Sequence, residues 1–484
     1  MRQRSSAFPL VLAPRARGTE AGRWLYDSLQ REILSGRLRA GVRLPATRDL
    51  ARQYNLSRGT IVAAFERLKS EGYLEGRTGS GTFVGQVPGS AAKPATSPLP
   101  RRLSRYAARL RPFPALGVRP TRAFRANQPA LDLFPTTLWA RIASRRMRRA
   151  ATGHLEAGPA LGYPPLREAI ADYLVTSRGV RCTPDQVAIV SGAQEAIDLV
   201  ARLVLDAGDR VAMENPGYIG ASLVFEALGA RIVPIRLDQE GMELRSVELK
   251  EARLIYVTPA HQFPLGVSMS LPRRLELLEL CRRTGGLILE DDYDSEYRYS
   301  GRPLPALQGL DQHGVVLFSG SFSKVLFPSL RLGYLVVPPD LIESIQAAES
   351  ITNRHAPTLE QAVLCDFMAA GHFARHIRRM REVYAERLGI LLEQAADRLG
   401  GLLEVSGVEA GLQTIGWLKR GIPAAAAASA AGERRVEVTP ISSYARGGRG
   451  PQALHLGFAA VDGPEIRRGV RDLAAALESL VAAS

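Results

Sequence analysis

The sequence predicts an α/β protein preceded by a small helical domain with a β-hairpin, and three observations lead there. From about Asn127 onward, segments of strand character alternate with helical ones, the signature of a large, mostly parallel sheet. Before that, three short amphipathic helical patterns are followed by two strand-like pieces between about Arg23 and Val84. Charge is divided along the same line. Met1–Ser90 holds 15 Lys/Arg against 7 Asp/Glu, Ala91–Arg125 holds 9 basic residues and no acidic one, and Ala126–Ser484 is nearly neutral at 39 against 41. A polyanion-binding surface is therefore expected at the N-terminal end alone.

At 484 residues the chain is too long for a single core. Its three cysteines, Cys182, Cys281 and Cys365, share no close spacing, so neither a disulfide framework nor a metal site is indicated. No apolar run approaches the ~20 residues of a membrane span. The short apolar patch Phe8–Ala13 is broken by Pro9 and followed by Arg15 and Arg17, which disfavours a signal peptide. A cytoplasmic protein is expected.

Leu25, Leu29 and Ile33 recur at helical spacing and the pattern stops at Ser35-Gly36, which predicts a first helix over about 23–34. Thr47 is placed as the cap of a short second helix with Leu50 and Tyr54 inside, and Asn55-Leu56-Ser57 turns the chain into a third. There Ser57 is the expected N-cap and Ile61, Phe65 and Leu68 form the buried stripe. Tyr73–Arg77 and Thr82–Val84, joined by Thr78-Gly-Ser-Gly81, read as a hairpin wing. Three helices and a hairpin in this order make a winged helix-turn-helix, whose third helix enters the major groove of double-stranded DNA. Ser57, Arg58 and Thr60 open that helix, with Arg58 and Thr60 as the base-reading candidates. Arg48 and Arg52 are placed at phosphates, and Arg77 near the minor groove.

The stretch 89–125 is rich in proline and arginine and is expected to be an extended linker. Two roles stay open for it, a passive tether or a basic segment lying along the DNA backbone.

Seven strands are expected beyond it, at Val187–Val190, Arg210–Glu214, Arg231–Ile235, Leu254–Thr258, Leu287–Glu290, Val315–Phe318 and Leu332–Val337. Polar motifs follow several of them, where ligands gather in such sheets. Gly192, Ala193 and Gln194 open a helix and offer free N–H groups to a phosphate. Tyr218, in Glu214-Asn-Pro-Gly-Tyr218, can stack on a ring. Asp291 and Tyr293 offer an anion for a pyridinium nitrogen and a donor for a phenolic oxygen. Lys324, in Ser319-Gly-Ser-Phe-Ser-Lys324, supplies an amine. Ser321 and Arg331 supply a hydroxyl and a permanent charge for phosphate. In this order the set suits pyridoxal 5'-phosphate held by Lys324 as a Schiff base.

Arg43-Leu-Pro-Ala-Thr-Arg-Asp-Leu-Ala51, Leu56-Ser-Arg-Gly-Thr-Ile61 and Gly72-Tyr-Leu-Glu-Gly-Arg-Thr-Gly-Ser-Gly-Thr-Phe83 resemble the GntR-type winged helix. Val257-Thr-Pro-Ala-His-Gln-Phe-Pro-Leu-Gly266, Glu290-Asp-Asp-Tyr-Asp-Ser-Glu-Tyr297 and Ser321-Phe-Ser-Lys324 resemble a fold-type I, class I aminotransferase. The fusion of the two resembles the MocR family of bacterial regulators, from about Trp24 to the C-terminal end. The resemblance implies a winged helix over 20–88, a linker over 89–125, and an aminotransferase-like domain over 126–484 with a smaller α+β subdomain from about 385. It also implies that Lys324 carries the cofactor, Asp291 pairs with the ring nitrogen, Tyr293 bonds the phenolic oxygen and Tyr218 stacks on the ring. Gly192, Ser321 and Arg331 would hold the phosphate. A homodimer is implied too, with each winged helix packed on the partner subunit.

One feature departs from the aminotransferase pattern. Those enzymes clamp a substrate carboxylate with an arginine near the C-terminal end, but the matching stretch Ala453-Leu-His-Leu-Gly-Phe458 has His455 there. His455 is read chiefly as a packed strand histidine, with Arg446 nearby as an alternative charge for an effector. Three functions follow: a regulator that senses pyridoxal phosphate or an amine effector, a working aminotransferase with an appended DNA-binding domain, or a DNA-binding scaffold with an inactive pocket. The altered clamp favours the first, with at most weak or partial transamination.

Overall fold

The computed structural model describes residues 10–16, 18–86, 102–114, 120–149, 156–300, 305–448 and 450–482. The chain divides into two compact units, Met1–Arg102 and Leu103–Ser484.

The first unit contains α1 (Ala21–Leu34), α2 (Thr47–Tyr54), α3 (Arg58–Ser70), β1 (Leu74–Arg77) and β2 (Gly81–Val84). Leu25, Leu29, Ile33, Leu50, Ile61, Phe65 and Leu68 are all buried in one core, as their spacing requires. Thr47 is not a cap: it is the first helical residue of α2, and Ala46 before it is extended and makes no side-chain cap. Asp49 in that first turn is the group that meets the positive helix end. Asn55 leaves α2 in the left-handed region at φ 53°, which a short amide side chain tolerates. Ser57 caps α3, its Oγ accepting from the Thr60 N–H at 3.1 Å. The wing pairs Leu74 with Val84 through Arg77 with Gly81. Leu10 and Leu12 join the same core, and the Leu10 carbonyl accepts from the Tyr54 hydroxyl and Gln53 Nε2, both at 2.7 Å. The described part of the apolar patch Phe8–Ala13 thus belongs to the winged helix.

The second unit is built on a seven-stranded sheet in the order Val187–Val190, Gly333–Val336, Val316–Ser321, Leu287–Asp292, Leu254–Val257, Arg210–Glu214, Arg231–Ile235. Gly333–Val336 alone runs against its neighbours, so the sheet is mixed but mostly parallel. Leu287–Asp292 and Val316–Ser321 extend beyond the predicted ends, because Asp291 pairs with Ser319 and Asp292 with Gly320 across the ladder. A smaller four-stranded sheet has the order Leu403–Val405, Gln413–Leu418, Ala453–Gly457, Thr439–Pro440. The expected start of the small subdomain at about 385 falls inside the unbroken helix His372–Arg398.

The predicted linker is only partly described, and 87–101 and 115–119 lie outside the described residues. Its described part is not uniformly extended. Ser104 caps a short helix, Arg105–Arg109, by accepting from the Ala107 N–H at 3.1 Å. At the other end Ala123 and Phe124 are buried in the core of the second unit, and Arg125 pairs with Glu437 at 2.8 Å. Among the described residues, no helix is long and apolar enough to cross a membrane.

Candidate functional site

The sheet order brings the polar motifs to one cavity of about 360 Å3, lined by residues from strand ends and loops far apart in sequence. Gly192 is the N-cap of the helix Ala193–Val204 at φ 107°, a conformation that favours glycine. A Cβ there would lie 3.7 Å from Arg331 Nη1 and 3.9 Å from Ser321 Oγ, so helix end, guanidinium and hydroxyl face one point. Ala193, Gln194, Ser321 and Arg331 all line the cavity. Ser321 Oγ accepts from the Ser323 N–H at 3.2 Å, while Ser323 Oγ is buried without a partner among the described residues. Such a cup suits a phosphate dianion.

Lys324 lies across the cavity, with Nζ donating to the Asn127 carbonyl at 2.7 Å. Burial pulls its pKa down to about 8 against the opposing pull of Asp294 and Asp291. About a tenth of the amine is therefore neutral and nucleophilic at pH 7. Asp291 stands at the end of its strand with one oxygen, Oδ2, accepting from the Tyr256 hydroxyl at 2.6 Å. The other, Oδ1, is buried with no partner among the described residues. Burial, only partly offset by the Tyr256 hydrogen bond, pushes its pKa up to about 6.

Tyr293 is held by a donor pattern that fixes its own proton. Asp294 lies 2.9 and 3.1 Å from His261 Nδ1, which requires the hydrogen on that nitrogen. The same nitrogen is 3.1 Å from the Tyr293 oxygen. Gln413 Oε1 accepts from the Asn127 N–H at 3.0 Å, so its Nε2 faces the Tyr293 oxygen at 3.4 Å. The one Nδ1 hydrogen is engaged by Asp294 and this nitrogen cannot accept, so the phenol oxygen has Gln413 Nε2 as its donor and its O–H is left to donate toward a ligand. Tyr218 lines the cavity, anchored through its hydroxyl to Gln194 Oε1 at 3.1 Å, and burial raises its pKa.

His455 and Arg446 were the effector candidates, and neither lines this cavity. His455 is fully buried in its strand behind the Phe263 ring, 5.5 Å away, with Nδ1 3.2 Å from the Tyr444 hydroxyl. Burial, with His261 nearby, takes its pKa down to about 3, so the imidazole is neutral and offers no charge to a carboxylate. Arg446 is paired with Glu226 at 2.7 Å. Sequence reasoning passed over Tyr256, Asn127, Gln413 and Phe113. His261 and Asp294 fall inside the motifs Val257–Gly266 and Glu290–Tyr297, which by themselves assign them no role. Tyr256 looks like core from periodicity, and no local pattern marks the other three.

Among the candidates for DNA contact in the first unit, Arg48, Arg52, Ser57, Arg58 and Arg77 are exposed and Thr60 is half-buried. The Arg48 and Arg52 side chains are 79% and 78% exposed, lying 3.9 and 2.7 Å from Asp49. Arg58 is exposed on the first turn of α3. Ser57 and Thr60 engage each other, with their hydroxyl oxygens 2.8 Å apart. Arg77 lies over the Phe83 ring at 4.7 Å, which aims it along the wing.

Comparison with known proteins covers both units. Residues 22–84 match the gntR family of bacterial regulatory proteins, and residues 123–473 match aminotransferase class I and II. A probable rhizopine catabolism regulatory protein, MocR, of Rhizobium meliloti is 40% identical over 95% of this chain and 94% of its own length. The chain belongs to the MocR family. The pyridoxine biosynthesis transcriptional regulator PdxR of Corynebacterium glutamicum is 29% identical over 95% of this chain and 96% of that protein. Among solved structures, the α-aminoadipate aminotransferase LysN of Thermus thermophilus, complexed with N-(5'-phosphopyridoxyl)-L-leucine, matches with a TM-score of 0.71. It is 31% identical and covers 79% of this chain and 98% of that one.

The MocR-type pocket fits pyridoxal phosphate on its own geometry. Asp291 Oδ1 awaits an N–H, Tyr293 has a proton to donate, and the cup at Gly192, Ser321 and Arg331 awaits an anion. When bound, the cofactor supplies an aldehyde that condenses with primary amines and a ring that withdraws electrons. Among the described residues Lys324 is the amine that lines the cavity, and Tyr218 and Phe263 add aromatic wall.

Proposed function

We propose that this MocR-family chain is a DNA-binding transcriptional regulator whose second unit responds to pyridoxal phosphate, alone or joined to an amine effector. One observation carries the reading. A set of groups suited to the cofactor, gathered around the half-buried Lys324, shares a chain with an N-capped helix that opens on the exposed Arg58. Coupling requires that the cofactor bind two states of the protein unequally. The proposed working form is a cytoplasmic homodimer, with each winged helix packed on the partner subunit and two half-sites read together.

The test compares DNA affinity of cofactor-free and cofactor-loaded protein at fixed salt, on a duplex selected from a randomised library. A change in affinity or in half-site spacing is expected. Identical binding in both forms, with every amine tried, removes the proposal. Turnover as an aminotransferase is the weaker reading, because His455 is neutral and buried and Arg446 is paired with Glu226. Rapid half-transamination of common amino acids, abolished by Lys324→Ala, would restore it.

A further inference from the structure

The linker reaches the pocket. Phe113 is one of the cavity-lining residues, its ring 6.4 Å from that of Tyr218 and tilted at 56°. Three other contacts bring it there. Tyr106, on the short helix Arg105–Arg109, lies beneath the Arg202 guanidinium at 5.5 Å and accepts a hydrogen bond from it at 3.4 Å. Arg109 donates to the Leu228 carbonyl at 3.4 Å, at the end of the helix Ile219–Leu228 where the dipole favours a cation. Gly229 makes room for it, since a Cβ there would fall 2.3 Å from Arg109 Nη1. Arg111 lies 3.9 Å from Glu226.

These contacts follow one path. Arg109 meets residue 228, Arg111 meets residue 226, and Phe113 meets Tyr218, the N-cap of the same helix. The segment therefore runs antiparallel along this helix, from its carbonyl end to the cavity. Glu226 also holds Arg446, whose backbone N–H donates to Asn215 Oδ1 at 2.9 Å, in the turn that carries Tyr218. The anchors are exposed and individually weak; the Arg111 side chain is 75% exposed. An attachment of that strength is readily shifted by one additional contact.

We propose that Ser104–Phe113 is a strap through which the linker reads the pocket. A cofactor seated against Tyr218 packs on Phe113, holds the strap docked, and so sets how much chain is free to tether the winged helix. The proposal rests on the regulator reading only for its purpose, since the docking itself is separate. Phe113 is half-buried beside the cavity, and a ring ligand there covers apolar surface that otherwise faces water.

The experiment is limited trypsin digestion of the full chain, with and without pyridoxal phosphate, with occupancy read from the visible absorption band. The cofactor is expected to slow cleavage after Arg105 and Arg109 about fivefold or more. Phe113→Ala, compared at cofactor concentrations that bring its band to the same intensity, should lose most of that protection. Equal cleavage in loaded and cofactor-free protein, or full protection in Phe113→Ala, overturns the strap. Arg109→Ala removes the helix-end anchor without touching the pocket, and should keep the band while raising cleavage after Arg105 about threefold. Unchanged cleavage in that variant also overturns it. Protection that persists while DNA affinity ignores the cofactor contradicts the regulator reading and leaves the strap standing.

Discussion

The two units hold their candidate residues in opposite physical settings. In the winged helix, Arg48, Arg52 and Arg58 are exposed, set on short helices, and tied at most to a neighbouring carboxylate such as Asp49. In the second unit, Lys324, Asp291, Tyr293 and His261 are enclosed, and each is held by partners from distant segments. The difference teaches where specificity is stored. An exposed guanidinium works through a screened field and a few direct contacts, so its removal stays local. A buried constellation is a network in which desolvation shifts Lys324, Asp291 and Tyr293, so one change alters its neighbours.

The largest expected effect is from Lys324→Ala, which should abolish the visible cofactor band and weaken cofactor retention by on the order of a hundredfold or more. Binding to random duplex DNA, measured by anisotropy, should be unchanged. A parallel loss of both would break the distinction between the units.

Asp291→Asn is next. Burial raises the Asp291 pKa from 3.8 to about 6, so the fold favours its neutral form. The stability it contributes is present below about pH 4 and is lost as pH rises through 6, leaving a cost on the order of 3 kcal/mol near pH 7.5. The amide should therefore raise the melting temperature of cofactor-free protein at pH 7.5, leave it unchanged at pH 4, and weaken cofactor binding roughly tenfold to a hundredfold. A fall in stability at pH 7.5 would show that Asp291 is structural.

The rate of cofactor uptake sharpens the same contrast through Lys324. Burial holds its pKa at about 8, below the ordinary lysine value of 10.5, and the neutral amine is the nucleophile. Uptake followed by absorbance should rise about tenfold per pH unit below 8 and level off above it. A rise continuing to pH 10 would mean that the lysine is not desolvated in solution.

On the exposed side, Arg58→Ala should cost about 1–3 kcal/mol on a selected duplex and relax base preference. Arg52→Ala should mainly lower the salt slope, by about one. Equal losses on selected and random DNA for Arg58→Ala would remove it from base reading. Ser57→Ala should have the smallest effect: loss of the α3 cap costs about 1 kcal/mol, read as a lower denaturation midpoint of the winged helix.

Features carried by local rules were legible in the sequence. The buried stripe of α3, the Ser57 cap, the hairpin and most of the seven strands follow from periodicity, capping and turn chemistry, each acting over a few residues. The failures are local too. Thr47 lost the capping role because the extended Pro45-Ala46 approach starts the helix one residue earlier than a threonine cap would allow. The linker folded a turn because Ser104 caps it and Arg109 finds a helix end.

Lys324, Asp291 and Arg331 could be singled out by residue type and order, but not their partners. Tyr256 meets Asp291 because their strands are adjacent in the sheet, and Asn127 meets Lys324 although 197 positions separate them. His455 occupied the expected place in the chain, yet Phe263 stands between it and the cavity. Strand order and side-chain cover of this kind depend on long-range packing, which hydrophobic period and motif spacing do not encode. The chain's pattern settled which chemistry was present, and the tertiary fold decided which atoms share it.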